Sequence, residues 1–363
     1  MMRVPTFKYL APRTISEAAG ALRSAGPEGM LLAGGTDLLP NMKRRQQTPK
    51  VVIGLRGVQE LKASLSRPDG GVTLGAGLTL VEVVKSRLLT SSGTSTAYRA
   101  LTSAAGKVAT PHIQAMGTLG GNLCLDTRCN YYDQNYEWRK AINFCKKAPD
   151  GEARRDVTHG TCWVAPSSPR CWAVSSTDTA PTLVALGATV TLVSVDGQRT
   201  IPVLQLFKND GMDYLAGKRR DEVLSQVHLP ALEGWRSTYW KLRRRGSFDF
   251  PVLSVAAAVR LGPGNVVLDA RVALGAVASC PLEVPTDGLV GRPLDDDAIA
   301  AFADKAAGPA RPLDNTDYHL SWRKRVVREY VTGALRELRG DDPATLGVLA
   351  RGAARVLPVL AGR

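Results

Sequence analysis

Leu32-Ala33-Gly34-Gly35-Thr36-Asp37-Leu38 and Gly117-Thr118-Leu119-Gly120-Gly121-Asn122 decide how this chain is read. Each stands where one element gives way to a helix. Paired glycines at such a junction let backbone amides approach a phosphate with no Cβ in the way. Thr36 adds a hydroxyl to the first turn. The second repeats the chemistry with Thr118, two bare glycines and the side-chain amide of Asn122. Either alone reads equally well as a plain tight turn, but the pair predicts a diphosphate gripped from both sides. Neither is a G-x-G-x-x-G fingerprint after a strand, and no G-x-x-x-x-G-K-[ST] is present, so a dinucleotide needs another kind of pocket.

Working outward, the first fifty-five residues alternate short strands and helices. Phe7 to Leu10 reads as a strand, and Thr14-Ile15-Ser16-Glu17 has the form of a capping box. Ile15, Ala18, Ala19 and Leu22 then share one helical face until Gly26-Pro27 ends the run. Met30 to Ala33 and Val51 to Leu55 are strands around a second short helix. A longer α/β pattern follows: a strand at Val72 to Leu74, a capping box at Thr79-Leu80-Val81-Glu82, a helix from about Ser95 to Val108, a helix over Thr179 to Leu186 and a strand over Ala188 to Val195 closed by Asp196-Gly197. Asp178 either caps the helix after it or accepts hydrogen bonds from cofactor hydroxyls.

After Pro230 the composition changes. Ser237 to Arg243, Val252 to Leu261 and Val266 to Val277 predict three strands, the last two joined by Gly262-Pro263-Gly264-Asn265. Lys241 on the first of these reads as a solvated edge residue. Helices follow over Asp295 to Ala307 and Thr316 to Leu338, and residues 341–363 form a short apolar and basic tail read as helical.

Between the second glycine turn and Asp178 lie Cys129, Cys145, Cys162 and Cys171, separated by 15, 16 and 8 residues. Thiolates hold soft metals, and four of them complete a tetrahedral zinc or the corners of an iron-sulfur cube. The spacing matches neither paired C-x2-C knuckles nor a compact ferredoxin run, so it leaves the metal open, and Cys124 is an alternative to Cys129. Packing as small hydrophobes is the rival reading. Asn130-Tyr131-Tyr132-Asp133-Gln134-Asn135-Tyr136-Glu137 offers little aliphatic core for it. Because α/β character resumes beyond Cys171, the segment reads as an insertion carrying an extra centre. Cys280, beside Pro281, reads as structural.

The chain of 363 residues carries a formal charge of +14. Its basic clusters at Lys43-Arg44-Arg45, Lys218-Arg219-Arg220, Arg243-Arg244-Arg245 and Arg323-Lys324-Arg325 are dispersed, and no recognition-helix or stacking motif accompanies them. That argues against nucleic acid and suits an acidic partner subunit or an anionic cofactor. No apolar run approaches the roughly 20 residues of a membrane span. Met1 to Pro12 lacks an apolar signal-like core, which predicts a cytoplasmic chain with reduced thiols.

The two turns, in this order, resemble those of the flavin subunit of the molybdenum hydroxylases, the family of xanthine dehydrogenase and carbon monoxide dehydrogenase, over about residues 4–335. The resemblance implies an α+β chain: a two-subdomain FAD-binding fold of the PCMH or vanillyl-alcohol-oxidase type, then a C-terminal domain with a three-stranded antiparallel sheet and helices. The implied boundaries are 1–228 for the FAD-binding domain (subdomains about 1–56 and 57–228, insertion at about 123–172), 229–340 for the C-terminal domain and 341–363 for the tail. Carried over by motif, the FAD contacts are Ala33, Gly34, Gly35, Thr36, Asp37, Leu38, Thr118, Gly120, Gly121 and Asn122, with Asp178 and Lys241 at further flavin-neighbour positions.

Leu123-Cys124-Leu125-Asp126-Thr127-Arg128-Cys129-Asn130-Tyr131-Tyr132 resembles one branch, the β subunit of 4-hydroxybenzoyl-CoA reductase, which carries a 4Fe-4S cluster beside the flavin. By that resemblance the ligands are Cys129, Cys145, Cys162 and Cys171, with Cys124 outside the set. The loop from Lys146 to Arg155 looks longer than in that enzyme. The implied function is electron transfer among FAD, the 4Fe-4S cluster and the 2Fe-2S clusters of a small partner chain. A molybdenum cofactor in a large chain turns over the substrate, the assembly is a dimer of heterotrimers, and ferredoxin or another carrier serves as external partner. This chain then needs no acid-base catalytic residue of its own. The rivals are a self-sufficient flavin oxidoreductase with structural cysteines and a zinc-stapled binding module.

Overall fold

The structure, a computed structural model, describes residues 3–148, 160–246, 248–342, 345 and 346. Strands β1 (Lys8–Leu10), β2 (Gly29–Leu32) and β3 (Val51–Gly54) form a parallel sheet in the order β1-β3-β2. Helix Ile15–Ala25 lies against it with Ala18, Ala19 and Leu22 buried, as their spacing requires. Thr14 Oγ1 accepts from the amide of Glu17 at 3.1 Å, but the Glu17 carboxylate turns back to the amide of Arg13 at 2.7 Å, leaving half a capping box. The box at Thr79 closes in both directions, at 3.3 and 2.7 Å.

A second unit is built on β4 (Ser64–Ser66), β5 (Val72–Gly75), β6 (Thr189–Ser194), β7 (Gly197–Pro202) and β8 (Val223–Leu229), antiparallel in the order β4-β5-β8-β6-β7. Central β8 was not predicted. Covered by neighbours, it keeps most of its side chains buried, so it shows little of the apolar and polar alternation that marks a half-exposed strand. Helices Arg99–Gly106 and Thr179–Ala185 share the core of this unit.

The third unit has four antiparallel strands where three were expected: β9 (Trp235–Leu242), β10 (Leu253–Leu261), β11 (Val267–Gly275) and β12 (Leu282–Val284), ordered β12-β11-β10-β9. The addition is a three-residue edge strand, too short to show a period. Strand β10 explains how the sheet is shared. Val255, Ala257 and Val259 face helices Asp296–Ala307 and Leu320–Arg339, whereas Ala256 and Ala258 enter the core of the second unit. By the same alternation Trp240 joins the outer core and Tyr239 the inner one, and Lys241 points inward with Tyr239. The last helix starts at Leu320, later than predicted, where His319 accepts from the amide of Ser321. Most of the tail read as helical lies outside the described residues, as does much of the extended loop after Cys145. Among the described residues no helix is long and apolar enough to cross a membrane.

Candidate functional site

A cavity of about 600 Å³ opens between the first and second units. Ala33, Gly34, Gly35, Thr36, Asp37 and Leu38 line it, and so do Thr118, Gly120, Gly121, Asn122 and Asp178. The two glycine turns touch: a Cβ on Gly34 would lie 1.9 Å from the carbonyl oxygen of Met116, so only glycine fits there. Gly35 has a φ of +74°, the left-handed region that glycine adopts without strain. Thr118 caps the short helix Leu119–Leu123 by accepting from the amide of Gly121 at 3.0 Å. Asn122 Oδ1 accepts from Thr177 Oγ1, Thr179 N and Thr179 Oγ1 at 2.8, 3.1 and 2.7 Å, which fixes the segment carrying Asp178 against the second turn.

Asp178 begins helix Thr179–Ala185 but makes no side-chain cap, contrary to one of its expected roles. Its carboxylate instead accepts from Tyr239 Oη at 2.6 Å and from Lys241 Nζ at 2.9 Å. The expectation of a solvated Lys241 is also corrected. Its side chain is 1% exposed, because the alternation of β9 turns it inward, and it stands behind Asp178 rather than at the cavity surface. Burial pushes the Asp178 carboxyl up and the Lys241 ammonium down, while each partner works against the other's shift. Lys107 packs beside the pair, donating to the carbonyl of Tyr239 at 3.0 Å, and burial lowers it to about 8.

Several lining residues were not named as site residues from the sequence, although Lys218 and Arg245 belong to its basic clusters. Arg245, Phe248 and Phe250, from the turn joining β9 and β10, stand at the mouth of the cavity, and Phe250 lies under the Arg128 guanidinium at 4.8 Å. Lys218 contributes a half-buried cation whose pKa desolvation lowers. Exposed aromatic residues beside a run of arginines were the available signal.

The cysteine segment is closed where Arg128 and Val174 exchange backbone hydrogen bonds at 2.8 Å. Within it Cys129, Cys145, Cys162 and Cys171 are all buried free thiols and line one narrow cavity, next to Tyr132, Lys147 and Trp163. Cys124 is not among them; it lines the large cavity. Cys280 is buried apart from both cavities, and burial pushes it to about 11. Asn143 and Phe144 precede Cys145 with φ of 59° and 56°, a costly conformation for a phenylalanine. At Cys171 the amide two residues onward, that of Ala173, turns toward the sulfur at 3.4 Å. Burial drives the thiols of Cys129 and Cys171 up to about 12. A donor aimed at sulfur suits a thiolate better than a thiol that only packs. Among the described residues no group of three or more His, Cys, Asp or Glu is gathered around a single metal-ion position.

Asp126 and Tyr132 connect the two cavities. Asp126 lines the large one, Tyr132 the cysteine one, and Tyr132 Oη donates to Asp126 at 2.8 Å. The cysteine segment is also stapled to the first unit: Gln46 donates to the carbonyl of Tyr132 at 2.6 Å, and Arg139 to that of Arg44 at 2.8 Å.

Two domain families match this chain. The one described as the FAD binding domain in molybdopterin dehydrogenase matches residues 5–232, and the one described as the CO dehydrogenase flavoprotein C-terminal domain matches residues 237–338. The aldehyde oxidoreductase FAD-binding subunit of Escherichia coli is 28% identical, covering 90% of this chain and 98% of its own length. The carbon monoxide dehydrogenase medium chain of Hydrogenophaga pseudoflava is 26% identical, covering 91% and 97%. The glyceraldehyde dehydrogenase medium chain of Sulfolobus acidocaldarius is 25% identical, covering 93% and 100%. Among solved structures, carbon monoxide dehydrogenase from Hydrogenophaga pseudoflava superposes with a TM-score of 0.73 at 24% identity over 93% of this chain and 99% of that one, a likeness of fold. The chain therefore belongs to the family of FAD-binding domains of molybdopterin dehydrogenases, joined to a C-terminal domain of the carbon monoxide dehydrogenase flavoprotein type.

Proposed function

We propose that this chain is the FAD subunit of a molybdenum hydroxylase complex and that it also carries a 4Fe-4S cluster on Cys129, Cys145, Cys162 and Cys171. The observation that carries this reading is the pairing of two sites. Both glycine turns line one cavity, and four buried thiols line a second, narrow one behind its wall.

When bound, FAD supplies two-electron chemistry and the cluster single-electron chemistry. The residues do the holding. Gly34, Gly35, Gly120 and Gly121 offer backbone without Cβ atoms to the diphosphate, and Thr36 and Thr118 add hydroxyls. Ala33, Asp37, Leu38 and Asn122 complete the two walls, with Asp178 presented to the cofactor and oriented by Lys241. The reading places the FAD-binding domain at 1–228, with subdomains at about 1–56 and 57–228 and the insertion at about 123–172, and the C-terminal domain at 229–340.

The partners in this reading are a large molybdenum-cofactor subunit and a small 2Fe-2S subunit, assembled in the cytoplasm as a dimer of heterotrimers, with ferredoxin or another carrier outside it. The substrate of the complex is an aromatic acyl-CoA such as 4-hydroxybenzoyl-CoA, an aldehyde or an N-heterocycle. Relatives named for glyceraldehyde and nicotinate keep the last two on an equal footing with the first. Anaerobic mixing with 4-hydroxybenzoyl-CoA, an aldehyde and nicotinate tests the subunit role. In the three-chain complex either the aldehyde or nicotinate should bleach the oxidised flavin, or 4-hydroxybenzoyl-CoA should restore the colour of flavin first reduced with dithionite, and none of them should act on the isolated chain. Bleaching in the isolated chain would make it a self-sufficient flavoenzyme.

A further inference from the structure

Lys147 and Asp126 form an ion pair at 2.6 Å with side chains 6% and 5% exposed. Lys147 lines the cysteine cavity and Asp126 the large one, so the pair lies in the wall between them. Stability does not account for it. Burying two ions costs several kcal/mol each, and a well-packed apolar pair in the same place is often as stable. Nor is Lys147 a hydrogen-bond donor to sulfur. Its Nζ is held by Asp126 Oδ1, Thr127 Oγ1 and the carbonyl of Gly211 at 2.6, 2.7 and 2.6 Å, which uses all three of its protons. The rings of Tyr132 and Tyr214 flank it at 4.8 and 5.3 Å. What remains is a fixed positive charge beside the sulfurs, opposing burial at Cys145 and Cys171.

We propose that Lys147 and Asp126 are a redox-setting pair. The charge of Lys147 makes the cluster easier to reduce, and the carboxylate of Asp126 limits that effect while raising the electron density of the flavin site on its other side. The proposal rests on the cysteines holding a 4Fe-4S cluster. Four thiolates already leave such a site negative, and one added electron makes it more so. A cation in the low-dielectric wall stabilises the reduced form most, and an anion does the reverse. Gly211 carries a supporting detail: a Cβ there would lie 2.8 Å from Cys171 Sγ, so glycine lets one carbonyl hold Lys147 while its backbone passes the sulfur.

The test is a potentiometric titration of the purified protein with dithionite, the cluster followed by electron paramagnetic resonance and the flavin by absorbance, with iron and sulfide counted in every variant. Lys147→Met should shift the cluster's one-electron equilibrium about tenfold toward the oxidised form, equivalent to about 59 mV. Lys147→Arg should stay close to wild type. Asp126→Asn should shift cluster and flavin several-fold in the opposite direction. A pair that served only the packing would move the cluster potential the same way in Lys147→Met and Asp126→Asn, or in neither. With iron intact, that outcome overturns this proposal alone. Should Lys147→Met lose its iron, Asp126→Asn decides by itself, since an unchanged or lowered cluster potential contradicts the proposal. Wild-type protein without iron removes this inference together with the cluster reading beneath it.

Discussion

Arg128, the residue immediately before Cys129, reaches back across 91 positions to bond Asp37 in the first glycine turn. A second ion pair to Asp133 at 3.4 Å and the ring of Phe250 hold the guanidinium in place, and its side chain is 7% exposed. Burial pushes the Asp37 carboxyl up, and Arg128 acts against that rise. The cysteine segment is therefore fastened to the cofactor cavity.

Arg128→Gln should accordingly weaken FAD retention, although the residue lies outside both glycine turns. Removing one partner of a buried pair costs about 3–5 kcal/mol, part of which will appear as lost flavin. The flavin-to-protein absorbance ratio after gel filtration reads it, and an unchanged ratio would show that the two sites are independent.

Gly34→Ala places a methyl group 1.9 Å from the Met116 carbonyl, so one of the two turns has to move. We expect FAD affinity to fall at least tenfold by titration of the deflavinated protein. Gly20→Ala is the control, since its nearest neighbour would be 4.0 Å away. Equal affinities for the two variants would contradict the cradle.

Replacing Lys241 by Met leaves Asp178 buried with Tyr239 as its remaining partner and should destabilise the chain by about 3–5 kcal/mol. The double variant Asp178→Asn with Lys241→Met should recover a large part of that loss. Chemical denaturation of the three proteins gives the coupling directly, and additive losses would show that the two charges do not interact.

The legibility of this site follows from range. Both glycine turns could be read because their chemistry lies within a few consecutive residues, and the capping box at Thr79 for the same reason. Lys241 could not be, because its burial arises when β9 packs on helices from distant parts of the chain. Asp178 looked like a cap because the sequence before a helix does not reveal a lysine 63 positions away. The cysteines were visible as a cluster, but the left-handed backbone of Asn143 and Phe144 that leads into Cys145 was not. Ion pairs such as Asp126 with Lys147 leave no period or motif at all.

Burial lowers Lys107 to about 8, whereas in the unfolded chain a lysine titrates near 10.4. The folded state therefore bears the full cost of holding this proton below about pH 8. That cost fades as the pH rises toward the unfolded value, so stability gains with pH in this window. Compared with Lys107→Met, wild type should become relatively more stable between about pH 8 and 10, measured by denaturant midpoints with m-values checked. A difference that is constant over this range would place the Lys107 ammonium in water.

The most direct measurement is a joint count of flavin, iron, sulfide and zinc in anaerobically purified protein, taken together with its visible spectrum. The account predicts about one FAD, four irons and four sulfides per chain, with the iron lost on Cys129→Ser, Cys145→Ser, Cys162→Ser or Cys171→Ser and kept on Cys124→Ser. Flavin without iron, or zinc bound through the same four sulfurs, would contradict it.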